Sequence, residues 1–271
     1  MYREVISSCE KLNIDRTFQC GQCFRWLRQE DGSYRGVVDN ALVAVWNENG
    51  KVLLEASEER DWQDYFDLKR DYRLADESLR GFSDYLDQCI DAGQGMHILK
   101  QDPWETLISF IISQCNNIPR IQGIIQRMCS QLGTPIFADG HEDYRFPTPL
   151  QILNACDDDW DYIKAGYRTR YIVETSRYIL DGFDLNRLKE LPWEKSRDEL
   201  KKLPGVGEKV ANCINLFGLN HIESFPVDTW IRKALAAHFP EDFDPVILGS
   251  FAGLAQQYIF DYERTQEMSE I

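Results

Sequence analysis

Two side chains in the second half of the chain have the types and spacing for nucleophilic chemistry at a carbon that turns cationic. Lys209 lies in "LPGVGEKVANCINLFG", from Leu203 to Gly218, and Asp228 follows 19 residues later in "ESFPVDTWIRKAL". Beside Val210, Ala211 and Ile214, burial disfavours the ammonium of Lys209, and a neutral amine is a nucleophile that can form a Schiff base with a sugar aldehyde. Cys213, four residues on, shares the same helical face. Asp228 stands just after Pro226 and Val227 and just before an amphipathic stretch, the position of a helix N-cap. Backbone donors there would fix its carboxylate, which could then stabilise positive charge developing on a sugar ring. Each residue also has a plainer reading: a lysine that snorkels to solvent, an aspartate that only caps.

These groups need a scaffold, and the residues before Lys209 describe one. A helix running to Leu203 cannot continue through Pro204. Gly205 and Gly207, flanking Val206, permit left-handed or strained backbone, so two helices join through a very short turn. The N–H groups that open the second helix then point outward, and with the helix dipole they form an anion site suited to phosphate. Lys201 and Lys202 add charge nearby. A simple packing corner between helices would use the same glycines.

The 271 residues allow one large domain or two ordinary ones. The first hundred residues are rich in Val, Trp, Tyr and Phe, with Asp31-Gly32 and Asn49-Gly50 as hairpin turns, and predict an antiparallel sheet of about four strands. Helical spacing follows in Leu79, Phe82, Leu86 and Ile90. Beyond the break at Gly93 and Gly95 the spacing predicts helices almost throughout, with a loop at 134–149 and a last helix over 245–264. The expected organisation is α+β: a sheet domain at 1–98 and an all-helical domain at 99–271.

The net charge of −15 weighs against a nucleic-acid partner, but its distribution tempers that. Residues 55–91 carry 12 acids and 5 bases, whereas 164–177 and 201–235 are mildly basic. No stretch is apolar for long enough to span a membrane and no signal peptide is visible, which predicts a cytoplasmic protein. Eight cysteines are scattered, and the one close pair, Cys20 and Cys23, reads as core rather than metal-binding.

The hairpin "LPGVGEK" with the downstream aspartate of "PVD" resembles the helix–hairpin–helix/Gly-Pro-Asp superfamily of base-excision DNA glycosylases, in which the lysine marks members that also cleave the strand. Further segments resemble its 8-oxoguanine DNA glycosylase/lyase family: "GQCFRW" (21–26), "QDPWETLISFIISQCNNIPRI", "AGYRTRYI" (165–172) and "AGLAQQYIF" (252–260). The likeness runs from about residue 10 to 262 and implies a TBP-like N-terminal sheet.

By that resemblance Lys209 is the nucleophile and Asp228 the electrostatic partner. The Gly21 carbonyl accepts from the ring N–H that oxoguanine has and guanine lacks. Gln256 reads the base edge, and Phe260 and Cys213 cover its two faces. Tyr167 and Arg168, with Arg120, face the orphaned cytosine, Asn116 and Asn117 bind DNA where the extruded base leaves a gap, and Gly205, Val206 and Gly207 hold the backbone. Two positions depart from the family: Cys115 replaces the first asparagine of its triple, and Trp230 stands where eukaryotic members have a histidine. The implied partner is duplex DNA containing 8-oxoguanine, bound by a monomeric, prokaryotic, nucleoid-associated enzyme. No cofactor, catalytic metal or iron–sulfur cluster is implied beyond a main-chain monovalent cation at the hairpin. The rival readings are a related glycosylase for another oxidised or mismatched base and a non-catalytic hairpin module.

Overall fold

In the computed structural model, which describes residues 1–269, the N-terminal part forms a five-stranded antiparallel sheet. Its strands are β1 (Tyr2–Ser8), β2 (Leu27–Arg28), β3 (Tyr34–Val38), β4 (Ala41–Glu48) and β5 (Lys51–Ala56), in the order β1-β5-β4-β3-β2. Strand β4 alternates buried and half-exposed positions, and Val43, Val45, Leu54, Ala56 and Tyr34 turn into one core. Asn49 and Gly50 both adopt left-handed backbone, the turn that suits a tight hairpin. The expected sheet is present, with one strand more. β1 escaped the sequence pattern because Ile6 is its one buried side chain.

Helices α1 (Ile14–Gln19), α2 (Trp62–Tyr65), α3 (Tyr72–Leu79) and α4 (Asp84–Ala92) accompany the sheet. Phe18 of α1 stacks on Trp26 at 4.3 Å and packs with Phe66, closing the sheet's core. The buried side chains of α3 and α4 instead join the larger helical core, where α4 lies against the last helix. Cys20 and Phe24 join that core as well, so the chain stitches the two units together well before residue 98.

The helical body comprises α5 (Pro103–Ser113), α6 (Ile118–Leu132), α7 (Pro149–Leu153), α8 (Asp157–Ile163), α9 (Arg168–Leu180), α10 (Trp193–Leu200), α11 (Glu208–Phe217), α12 (Thr229–His238) and α13 (Ala252–Ser269). Two regions depart from expectation. The loop at 134–149 contains a hairpin of β6 (Pro135–Ala138) and β7 (His141–Tyr144), turned at Asp139-Gly140, so this part is not wholly helical. The helix expected over 245–264 is broken: Pro245–Phe251 is a 3-10 segment, and Gly249 at φ 65° sets α13 off at a new angle.

Helix α5 begins at Asp102, whose side chain caps it ahead of Pro103, and packs an almost wholly apolar surface against α11. This buried pair is the floor on which the site is built. All eight cysteines are free thiols, with Cys20 and Cys23 buried and burial pushing the Cys20 thiol up to about 12. No helix among the described residues is long and apolar enough to cross a membrane.

Candidate active site

A cleft of about 940 Å³ opens where the 18–28 segment of the sheet unit meets α5, α11, the start of α12 and α13. Its walls bring together Gly21, Lys209, Cys213, Asp228, Gln256 and Phe260, six residues drawn from four separate stretches of chain. Asn116 and Asn117 stand in the same wall, at the junction of α5 and α6.

Lys209 occupies the first turn of α11, half-buried, with Nζ 5.0 Å from the centre of the Phe110 ring. That distance is within the range of a cation–π contact. Phe110 is itself held by Phe217, stacked at 5.4 Å, and by Phe24, edge-on at 5.5 Å. The lysine thus projects over an aromatic platform fixed from both sides. Burial pushes the Cys213 thiol up, against the opposing pull of the nearby Lys209 ammonium. The Asp228 carboxylate adds to the upward push, so the three groups share one electrostatic neighbourhood. Cys213 is therefore an uncharged thiol at neutral pH.

Asp228 caps α12: its Oδ1 accepts from the Ile231 amide at 2.9 Å. The cap anchors the carboxylate without neutralising it, since no cation pairs with it among the described residues. Trp230, two residues on, also lines the cleft and carries the Lys233 ammonium 5.6 Å from its ring centre. The histidine position of the eukaryotic pattern is thus taken by an aromatic that holds a lysine.

The opposite wall is set by a close approach. Gly21 has φ +77°, and a Cβ placed there would come 3.2 Å from the Phe260 ring. Arg16 of α1 pairs with Asp261 of α13, which ties the Gly21 segment to the helix bearing Phe260. Gln256, on the same face of α13 as Phe260, is buried, and its Oε1 accepts from Gln257 Nε2 at 2.8 Å.

The hairpin lies beyond the cleft. Gly205 adopts φ +76° against the Tyr171 ring, whereas Gly207 has ordinary extended backbone at φ −92°. The expectation that both glycines carry unusual backbone holds for Gly205 alone. Gly207 is the N-cap of α11 and supplies no capping side chain, which leaves the first-turn N–H groups for an outside acceptor. The carbonyls of Leu203, Pro204 and Gly205 already accept from Val206 N, Thr175 Oγ1 and Gln114 Nε2. A monovalent cation there would have to share oxygens already in use.

Arg168 is 3% exposed and donates through its guanidinium to the carbonyls of Gln114, Cys115 and Ala165. It braces the turn in which Cys115 adopts φ 49°. Tyr167 is exposed and reaches the Gln114 carbonyl through its hydroxyl, while Arg120 is exposed with no ion pair among the described residues. Asn117 caps α6 by accepting from the Arg120 amide, and Asn116 is bonded to Ile112 O and Asn117 N. Sequence reasoning missed Phe110 and Gln257 as site residues. Phe110 sat inside an apolar run that reads only as core, and Gln257 gave no signal apart from its neighbour.

Comparisons with known proteins agree with one another. The 8-oxoguanine DNA glycosylase N-terminal domain matches residues 4–107, and a helix-hairpin-helix motif matches residues 194–215. The chain is 30% identical over 255 residues to an N-glycosylase/DNA lyase of Saccharomyces cerevisiae, covering 82% of this chain and 67% of the relative. A probable N-glycosylase/DNA lyase of Methanothermobacter thermautotrophicus is 31% identical over 211 residues, covering 66% and 67%. Among solved structures, the Clostridium acetobutylicum 8-oxoguanine glycosylase/lyase bound to duplex DNA with cytosine opposite 8-oxoguanine superposes with a TM-score of 0.88. It is 36% identical, over 95% of this chain and 93% of that one. The fold is therefore shared over nearly the whole length, and the chain belongs to the 8-oxoguanine DNA glycosylase family of N-glycosylase/DNA lyases.

Proposed function

We propose that this protein excises 8-oxoguanine from duplex DNA and then nicks the strand at the abasic site. The observation that carries this reading is the convergence of Lys209 and Asp228 with Gly21, Gln256 and Phe260 in one cleft of nucleotide size. Binding alone would need none of the first pair, which disfavours a passive hairpin module.

A base inside a duplex is out of reach, so the nucleotide is extruded into the cleft. Phe260 and the neutral Cys213 thiol cover the two faces of the base, and the Gly21 carbonyl accepts from its N7–H. Lys209 attacks C1′ as an amine. The C1′–N9 bond breaks, the electron pair leaves with the base, and the base takes up a proton. Asp228 stabilises the positive charge on the sugar as this happens. The nitrogen then gives up a proton, the C1′–O4′ bond breaks as O4′ takes a proton and the sugar ring opens, and the protonated imine so formed acidifies the C2′ hydrogen. Loss of that hydrogen as a proton breaks the C3′–O3′ bond, expels the 3′ phosphate and cuts the strand. The N–H groups opening α11 hold a backbone phosphate, and the exposed Tyr167, Arg120 and Asn117 meet the strand opposite. One chain carries every group, so a monomer suffices, and no cofactor enters the reaction. Its place of work is the nucleoid in a prokaryotic cytoplasm.

The test is borohydride trapping of the imine on an 8-oxoguanine·cytosine duplex. The wild type should yield a covalent protein–DNA adduct, and Lys209→Gln should yield none while still binding the duplex. A wild type that releases the base without a trappable adduct would refute the lysine mechanism.

A further inference from the structure

We propose that Gln114 is a positioning residue that locks the phosphate grip of the hairpin in register with the turn facing the opposite strand, so that the duplex is held at the spacing in which the nucleotide leaves the stack. The inference rests on the function proposed above and specifies how binding is coupled to extrusion.

Gln114 ends α5 and leads into the turn of Cys115, Asn116 and Asn117, all of which line the cleft. Its half-buried side chain reaches back across the fold. Nε2 donates to the Gly205 carbonyl at 2.9 Å and to the Ile111 carbonyl at 3.1 Å. Two N–H groups thus meet two carbonyl oxygens, which only the nitrogen end of the amide can do. In the other direction, the Gln114 carbonyl accepts from Arg168 Nε at 2.9 Å and from the Tyr167 hydroxyl at 3.3 Å.

These bonds close a ring. Tyr167, the N-cap of α9, meets Tyr171 edge-on at 6.2 Å, and Tyr171 is the ring on which Gly205 packs. From Gly205 the circuit runs through Tyr171, Tyr167 and Gln114, and the amide returns it to Gly205. That amide makes the one hydrogen bond between the α5–α6 junction and the hairpin among the described residues. The hairpin N–H groups hold the lesion strand, whereas Tyr167 and Asn117 meet the strand opposite. Slack between the two grips would let the duplex relax before the nucleotide leaves it. At a half-buried position water could satisfy the Gly205 carbonyl, so stability alone does not call for a glutamine here.

The test places 2-aminopurine beside 8-oxoguanine in a duplex, so that rising fluorescence reports the lesion leaving the stack, and follows base release in the same single turnover. Gln114→Met keeps the length and removes the donors. It should slow opening and base release together by roughly tenfold, while affinity for an undamaged duplex stays within about threefold, because each grip is intact by itself. Gln114→Glu keeps the shape and adds a titration. As a carboxylate it repels both carbonyl oxygens, and once protonated it donates to one of them again. Its opening rate relative to wild type should be at least about tenfold down at about pH 8 and recover to within about threefold at about pH 5, while the Met ratio stays constant. A residue that merely supports the fold would lose undamaged-duplex affinity in step with opening. That result, a Glu ratio flat in pH, or opening within about twofold of wild type overturns the proposal. If Met does not fold, the two pH values in Glu decide. A wild type that opens the duplex yet releases no base would overturn the functional reading and leave the comparison of opening rates intact.

Discussion

Gly21 and Phe260 approach so closely that any side chain at position 21 would crowd the ring: a Cβ there would lie 3.2 Å from the Phe260 ring, on backbone at φ +77°. Gly21→Ala therefore strains the backbone by about 1–3 kcal/mol or displaces the ring. Either response degrades the base pocket and spares Lys209, which lies on another wall. Base excision should fall at least tenfold, while strand cleavage at a preformed abasic site should change less than threefold. Measuring both rates on matched duplexes checks this, and an equal loss of the two would show that Gly21 serves the whole site.

Arg168 and Arg120 should part company when mutated. Arg168→Ala leaves the carbonyls of Gln114, Cys115 and Ala165 short of a donor, a loss of about 3 kcal/mol in stability. Because the damage is to the turn, activity should drop by a similar factor with each of the four bases opposite the lesion. Arg120 is exposed and makes no ion pair among the described residues, so Arg120→Ala should leave the melting temperature within about 2 °C and change the ranking of opposite bases. A ranking altered by Arg168→Ala and unmoved by Arg120→Ala would reverse the two assignments.

The contrast shows what a sequence can and cannot carry. Lys209, Cys213 and Asp228 were legible because their signals are local: helical spacing, a proline stop, a capping position. The helices followed for the same reason. Burial of a charged side chain is not local, so the three carbonyl partners of Arg168 could not be read from its own segment. β1 was hidden because one inward side chain makes no alternation, and the β6–β7 hairpin because its Asp139-Gly140 turn lay among prolines. Phe110 and Gln257 become site residues only when α5 and α13 are brought to the same cleft.

Glu105 gives the fold a pH dependence with a definite sign. In the first turn of α5 it faces Arg25 Nη1 at 3.4 Å, and burial pushes its carboxyl up to about 7, with Arg25 opposing the shift. Between about pH 4.5 and 7 the folded state holds a proton that the unfolded chain has released. The stability this group contributes is complete at low pH and is lost as pH rises through about 7. Glu105→Gln stays neutral, so the wild type should weaken relative to the variant across that window in denaturation midpoints. Taking the difference cancels His97, whose imidazole burial pushes the other way. A constant gap between the two curves would mean that the carboxyl is not raised.

The two hairpin glycines, alike in sequence, should behave differently. A Cβ on Gly205 would lie 2.6 Å from the Tyr171 ring on backbone at φ +76°, whereas one on Gly207 meets nothing within 4 Å at φ −92°. Gly205→Ala should therefore cost about 3 kcal/mol and weaken binding to an abasic-analogue duplex, because the turn that aims α11 cannot form. Gly207→Ala should cost no more than about 1 kcal/mol, the difference between a glycine and an alanine N-cap. Its binding should keep the wild-type salt dependence, since the first-turn N–H groups remain in place. If Gly207→Ala instead loses binding as severely as Gly205→Ala, the phosphate must approach the Gly207 Cα itself. The grip on DNA would then depend on the absence of a side chain there and not on the turn alone.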